Sequence, residues 1–290
     1  MPSDEMRAFN AHAKATMKAL FNSNFDPVAF RAARQEVPAA ELDSTFVDVG
    51  AGKLEYRKLK GMTRVVAYVA GGGFCFDAGN NHRQLVDQLA HSLQADACLI
   101  RYRLAPEHPF PAAFDDVSNG LDRLIVDWGA SKVVLVGDSA GAALILSATL
   151  ARIAQDKPIP LRLAFLSALT DMAMTGRSHV ENADADPLFG PQAIIHKAYH
   201  YLQGHNPTDP AASPYWADPT GLPACLFIVG STEVMRDDST RFVIKAKAAG
   251  VDARLSIYEE APHTFPLLAP FPESAAAIQE ISAFFQEEWT

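Results

Sequence analysis

The chain has 290 residues, enough for one large α/β domain or two small ones. At 49% hydrophobic and 20% charged residues it has the composition of a globular protein, and it contains no apolar run long enough to span a bilayer. A formal net charge of −9 argues against nucleic acid and against anionic membrane surfaces as partners.

The first residues, Met1-Pro2-Ser3-Asp4-Glu5, are acidic and polar and do not resemble a signal peptide. Cys75, Cys98 and Cys225 fit no metal spacing and cannot all pair. Cys98 and Cys225 lie in apolar, strand-like runs, where a reduced cysteine acts as a small hydrophobe. These features favour a cytoplasmic protein. Cys75 follows a glycine run, but no histidine stands in a motif relation to it, so it is not assigned as a nucleophile.

In chain order, Met6, Phe9, Ala13, Met17 and Leu20 recur at helical steps and make one apolar face. Asn22-Ser23-Asn24 breaks that helix, and Asp26-Pro27 starts another with Asp26 as its N-cap. Residues 1–43 form an N-terminal helical segment, and residues 44–290 a second unit that opens with strands. Phe46, Val47 and Val49 mark one strand. Leu54 to Leu59 alternates in polarity, as antiparallel edge strands do. Arg64 to Ala70 is a central strand that ends in Gly71-Gly72-Gly73-Phe74. Glycines at the end of a buried strand leave backbone N–H groups unobstructed, as an oxyanion hole requires.

A helix from about Asn80 to Leu93 and a strand at Ala97 to Ile100 follow, then the proline-locked loop Tyr102 to Pro111 and a helix from Asp115 to Trp128. Next comes Lys132-Val133-Val134-Leu135-Val136, a buried strand, then Gly137-Asp138-Ser139-Ala140-Gly141, then an Ala/Leu-rich buried helix. Gly-x-Ser-x-Gly at a strand-to-helix junction is a nucleophile elbow. Ser139 stands at its apex, and the helix start directs N–H groups, that of Ala140 among them, at any negative charge forming nearby. Strand and helix alternate, which demands a mostly parallel sheet covered on both faces.

Leu161 to Leu166 is another strand, after which residues 172–215 break the alternation with turns around a helix at about 191–202. An insertion over the carboxyl edge of the sheet is a natural lid. His196 and His200 lie one helical turn apart, with His205 beyond, but no zinc motif accompanies them and no metal is assigned. The strand Ala224 to Val229 ends in a loop containing Glu233 and Asp237. The last strand, Arg254 to Tyr258, is followed by a loop containing His263 and by a final helix from about Glu273.

These motifs resemble the hormone-sensitive-lipase-like branch of the α/β-hydrolase superfamily, the bacterial carboxylesterases with a Gly-Asp-Ser-Ala-Gly elbow. Five family motifs have counterparts here in the same order, over roughly residues 65–268. The resemblance implies an α/β-hydrolase fold, about eight mostly parallel strands with helices on both faces. It also implies a helical cap made from the N-terminal segment and the 172–215 insertion. It implies a triad of Ser139, His263 and an acid, with oxyanion donors at Gly71, Gly72 and Ala140. The family's acid matches Glu233, and Asp237 is a rival if the following helix begins late. The implied activity is hydrolysis of small short-acyl esters, without cofactor or metal. Amide, carbamate or lactone hydrolysis on the same triad is an alternative, as is ligand binding without turnover. A homodimer through the edge strand at 254–258 is also implied. One departure stands out, since the family's oxyanion loop begins with histidine and this chain has Ala70. The missing side chain removes a hydrogen-bonded brace.

Overall fold

The computed structural model describes residues 1–23, 26–33, 44–57 and 61–289. Asn24 and the strand residues Lys58 and Leu59 lie outside them. Three short helices come first: α1 (Asp4–Thr16), α2 (Lys18–Asn22) and α3 (Pro27–Ala32). The expected helix start holds, with Asp26 accepting from the N–H groups of Val28 at 2.8 Å and Ala29 at 3.3 Å. The strands and helices then run β1 (Ser44–Val49), β2 (Gly52–Arg57), β3 (Val65–Val69), α4 (Asn80–Leu93), β4 (Asp96–Arg101), α5 (Ala112–Trp128), β5 (Val133–Asp138) and α6 (Ala140–Ile153). After them come β6 (Arg162–Leu166), α7 (Ser178–Glu181), α8 (Pro191–Leu202), β7 (Cys225–Gly230), α9 (Arg236–Ala248), β8 (Ala253–Tyr258) and α10 (Pro272–Gln286).

The eight strands form one sheet in the order β1-β2-β4-β3-β5-β6-β7-β8. β1, β2 and β4 pair antiparallel, and all remaining pairs are parallel. The central strands carry apolar residues on both sides because both faces are covered. One face packs against α5, α6 and α9, where Val117, Leu121, Ile145 and Phe242 are buried. The other packs against α4, α10 and α1, where Leu89, Phe285 and Met6 are buried. The alternation within β2 has an unexpected consequence. Glu55 faces inward, is fully buried, and takes hydrogen bonds from Arg83 Nε at 2.6 Å, Arg83 Nη2 at 2.8 Å and Arg101 Nη1 at 2.7 Å. Arg83 also donates to Ala78 O at 3.1 Å, so this network fixes the start of α4 and the loop before it.

The register aligns the carboxyl ends of β5 to β8. Asp138 lies opposite Leu166, Leu166 opposite Ile228, and Gly230 opposite Tyr258. The loops after these strands therefore converge along one edge of the sheet. α1 and α2 lie against the segment between β6 and β7. Lys18 Nζ donates to Ala183 O and Asp186 O, each at 2.7 Å, Gly190 N–H donates to Asn22 Oδ1 at 2.7 Å, and Phe21 packs on Phe189 at 5.4 Å between ring centres.

Burial raises the Glu55 carboxyl pKa, but the hydrogen bonds and charge of Arg83, and then those of Arg101, outweigh burial and hold it below its ordinary value of 4.5. The folded state thus binds this proton less readily than the unfolded chain. Its stabilisation is complete above the ordinary carboxylate range and is lost as pH falls through the depressed folded value. Glu55→Gln is expected to cost about 3 kcal/mol at neutral pH in denaturant unfolding, because it leaves buried guanidinium charge uncompensated. The gap between parent and variant should close as the pH is taken below that range.

Candidate active site

Four consecutive strand ends supply the site. Ser139 follows β5 with φ 50° and ψ −118°, a conformation in which a non-glycine residue costs on the order of 1–3 kcal/mol. Its neighbours hold it there. Its N–H donates to Leu166 O at 2.9 Å, and its carbonyl accepts from Leu169 N–H at 3.2 Å. α6 begins so close to β3 that a Cβ on Gly141 would lie 2.0 Å from Val69 O. Only glycine permits this approach, which brings the helix start under Ser139.

His263, in the loop after β8, places Nδ1 2.7 Å from Glu233 Oε2 in the loop after β7. Both residues are buried. The other carboxylate oxygen of Glu233 accepts from Gly230 N–H at 2.6 Å and from Ser167 Oγ at 2.7 Å. Ser167, the residue after β6, accepts in turn from Thr264 N–H at 2.8 Å. One hydroxyl therefore ties the acid loop to the histidine loop. Asp237 points elsewhere. α9 starts at Arg236, so Asp237 falls in its first turn, where it accepts from Ser178 N–H at 3.1 Å and pairs with Arg236 at 3.0 Å. The structure brings Glu233, and not Asp237, to His263.

The glycine loop requires a correction. Gly71 was expected as an oxyanion donor, but its N–H donates to Asp138 Oδ1 at 2.8 Å. A Cβ on Gly71 would sit 2.3 Å from Asp138 Oδ2, so the buried carboxylate fills the space that glycine leaves. Gly72 and Gly73 line the cavity instead, and Ala140 opens α6, where N–H groups have no partner within the helix. Asp138 also accepts from Tyr68 OH at 2.8 Å. Burial pushes its carboxyl pKa up, but His82, Gly71 N–H and Tyr68 OH outweigh burial and hold it below its ordinary value. The hydroxyl of Tyr102 shares its proton between Ala70 O at 2.8 Å and Gly71 O at 3.0 Å and so tethers the start of the loop.

The cavity above Ser139 encloses about 490 Å³. Met17, Phe21, Phe30, Phe76, Phe189 and Leu267 give it apolar walls, with His82, Asp138 and Lys197 as polar groups. Burial lowers the Lys197 pKa, and its ammonium lies 5.6 Å from the Phe189 ring centre. The insertion does more than cover this cavity. Asn182 Nδ2 donates to Glu233 O at 2.8 Å, Ser178 Oγ to Val234 O at 2.8 Å, and Val234 N–H to Asp186 Oδ2 at 2.9 Å. Residues 178–186 thus buttress the acid loop.

All three cysteines are buried and unpaired, and burial pushes the Cys75 thiol up to about 11, which keeps it protonated. Among the described residues no group of three His, Cys, Asp or Glu side chains is arranged to hold a metal ion. His205 pairs with Asp209 at 2.7 Å, apart from His196 and His200 on α8. Among the described residues no helix is long and apolar enough to cross a membrane. The residues missed in the sequence are Ser167, Tyr68 and His82. Ser167 carried a signal, a lone hydroxyl at the carboxyl end of an apolar strand beside the elbow. The other two carried none, because their partners become visible only in three dimensions.

Residues 66–267 match the family with the α/β-hydrolase fold. An esterase of Acinetobacter venetianus is 31% identical over 280 residues, 93% of this chain and 92% of that one. An acetyl-hydrolase of Streptomyces hygroscopicus is 33% identical over 226 residues, 77% of this chain and 75% of the other. Among solved structures, esterase EstE5, in a crystal soaked with p-nitrophenyl butyrate, superposes with a TM-score of 0.88 at 31% identity over 99% of both chains. A hormone-sensitive lipase from a metagenome library gives 0.86 at 30% identity over 99% of this chain and 100% of that one. With this architecture and these relatives, the chain belongs to the α/β-hydrolase family, in its hormone-sensitive-lipase-like branch of esterases.

Proposed function

We propose that the protein is a serine carboxylesterase acting on small, short-acyl esters through Ser139, His263 and Glu233. The carrying observation is the 2.7 Å contact between His263 Nδ1 and Glu233 Oε2 at the wall of an apolar cavity that also contains Ser139. With Nδ1–H donating to the carboxylate, the imidazole presents Nε2 as the base. It takes the proton of Ser139 as Oγ attacks the ester carbonyl. The N–H groups of Gly72, Gly73 and Ala140 receive the oxyanion. His263 then passes the proton to the leaving alcohol. Water repeats the cycle on the acyl-enzyme and releases the acid. Glu233 holds the tautomer and stabilises the imidazolium.

The cavity falls within the range of small-molecule sites, roughly 300–1,000 Å³. The described residues of the N-terminal segment and residues 172–215 act as its cap, supported by the Lys18, Asn22 and Phe21 contacts between them. The buried, unpaired thiols support a cytoplasmic setting. β8 is an open edge of the sheet with Ile257 exposed, which supports a homodimer there. Sedimentation equilibrium of the parent beside Ile257→Lys should show a dimer that the substitution weakens. Two monomers would remove that part of the reading.

Hydrolysis of p-nitrophenyl acetate, butyrate, octanoate and palmitate tests the activity. Turnover should be fastest on acetate or butyrate and negligible on palmitate. A maximum at palmitate would overturn the short-acyl assignment. Ser139→Ala and His263→Ala should each lower kcat on the order of 10⁶-fold, and Glu233→Ala roughly 10⁴-fold. Asp237→Ala should stay within about tenfold of the parent, since it touches no member of the triad. A larger loss for Asp237→Ala than for Glu233→Ala would reverse the acid assignment.

A further inference from the structure

His82 has no part in the proton transfers above, yet it lines the same cavity. It sits in the first turn of α4, where Gly79 has no side chain to cap the helix. His82 Nδ1 accepts from Gly79 N–H at 2.9 Å, the reciprocal bond that Glu or Gln makes in a capping box. Since Nδ1 accepts, the ring hydrogen of neutral His82 is on Nε2. Nε2 lies 3.6 Å from Asp138 Oδ1, too long for a strong hydrogen bond but a close contact between an N–H dipole and a buried carboxylate. Tyr68 packs its ring edgewise on His82 at 5.8 Å and donates to the same oxygen. Gly71 N–H donates to it as well.

Asp138 precedes Ser139 in the chain, and Tyr68 OH and Gly71 N–H hold its carboxylate in place beside the nucleophile. The hydrogen bond to Gly71 then fixes the residue immediately before the two cavity-lining glycines. We propose that His82 is a positioning residue for the oxyanion loop: it holds the Asp138 carboxylate against Gly71 N–H, and so aims the N–H groups of Gly72 and Gly73 at the reacting carbonyl oxygen. The Glu55–Arg83 network supports this role by anchoring the turn of α4 that carries His82. The inference rests on the serine-esterase reading, and on Gly72 and Gly73 as donors within it.

The test compares His82→Ala, His82→Gln and His82→Glu with the parent and with Asp138→Asn. Thermal melting is read first. His82→Ala should lower kcat on p-nitrophenyl butyrate on the order of tenfold with KM changed less than about threefold. His82→Gln, which retains both an acceptor for Gly79 N–H and an N–H donor, should recover most of the loss. His82→Glu keeps the helix-start acceptor but sets a second carboxylate beside Asp138, and should lose more than His82→Ala. If His82→Ala does not fold, the contrast between Gln and Glu carries the test. An aliphatic trifluoromethyl ketone supplies the readout that a merely structural role would not move. Ser139 adds to its carbonyl carbon, its proton passes to His263, and the resulting oxyanion occupies the hole. Its Ki should rise by the same factor by which kcat/KM falls. In the Asp138→Asn background, His82→Ala should cost little more. The inference is overturned if folded His82→Ala or His82→Glu keeps kcat within about twofold of the parent, if Ki does not follow kcat/KM, or if the Asp138 and His82 losses multiply. A parent inactive on every ester, or a Ser139→Ala variant that retains turnover, would sink the esterase reading itself and this inference with it.

Discussion

Everything at the site depends on how closely α6 approaches the end of β3. Gly141 allows the helix to start against the carbonyl of Val69, two residues after Ser139 in its positive-φ conformation. The same approach sets Asp138 beneath the glycine loop, where it captures Gly71 N–H. This close approach therefore places Ser139, the helix start and the glycine loop beside one another. Strain at Ser139 persists because hydrogen bonds to Leu166 and Leu169 over-determine it.

Parallel pairing supplies the rest of the geometry. Strands in register end together, so residues far apart in sequence meet without long excursions. Ser167 shows how much depends on this alignment. Its hydroxyl joins Glu233 to the loop of His263, and both bonds require β6, β7 and β8 to end at matching heights.

The architecture was legible in the sequence because hydrophobic period and glycine placement are local signals. The run 132–141 reads as strand, tight turn and buried helix by itself, and β5 and α6 appear there. Glu233 was legible only through likeness to a family motif, since nothing local separates it from Asp237. The helix start at Arg236 separates them in space. Gly71 was misread because three adjacent glycines look alike, whereas one of them is engaged by a carboxylate whose position depends on the elbow turn. The 172–215 segment was read as a lid from its polarity and turns. Its buried contacts to the acid loop, through Ser178, Asn182 and Asp186, arise from tertiary packing that composition does not encode.

The joint between the N-terminal helices and the insertion has a consequence for how this scaffold diversifies. Phe21 meets Phe189, and Met17 lines the same cavity, across a boundary held by Lys18 and Asn22, and none of these residues is in the sheet. The cavity wall at this joint can change through side chains outside the sheet, but not freely, because Ser178, Asn182 and Asp186 of the same insertion also hold the loop of Glu233.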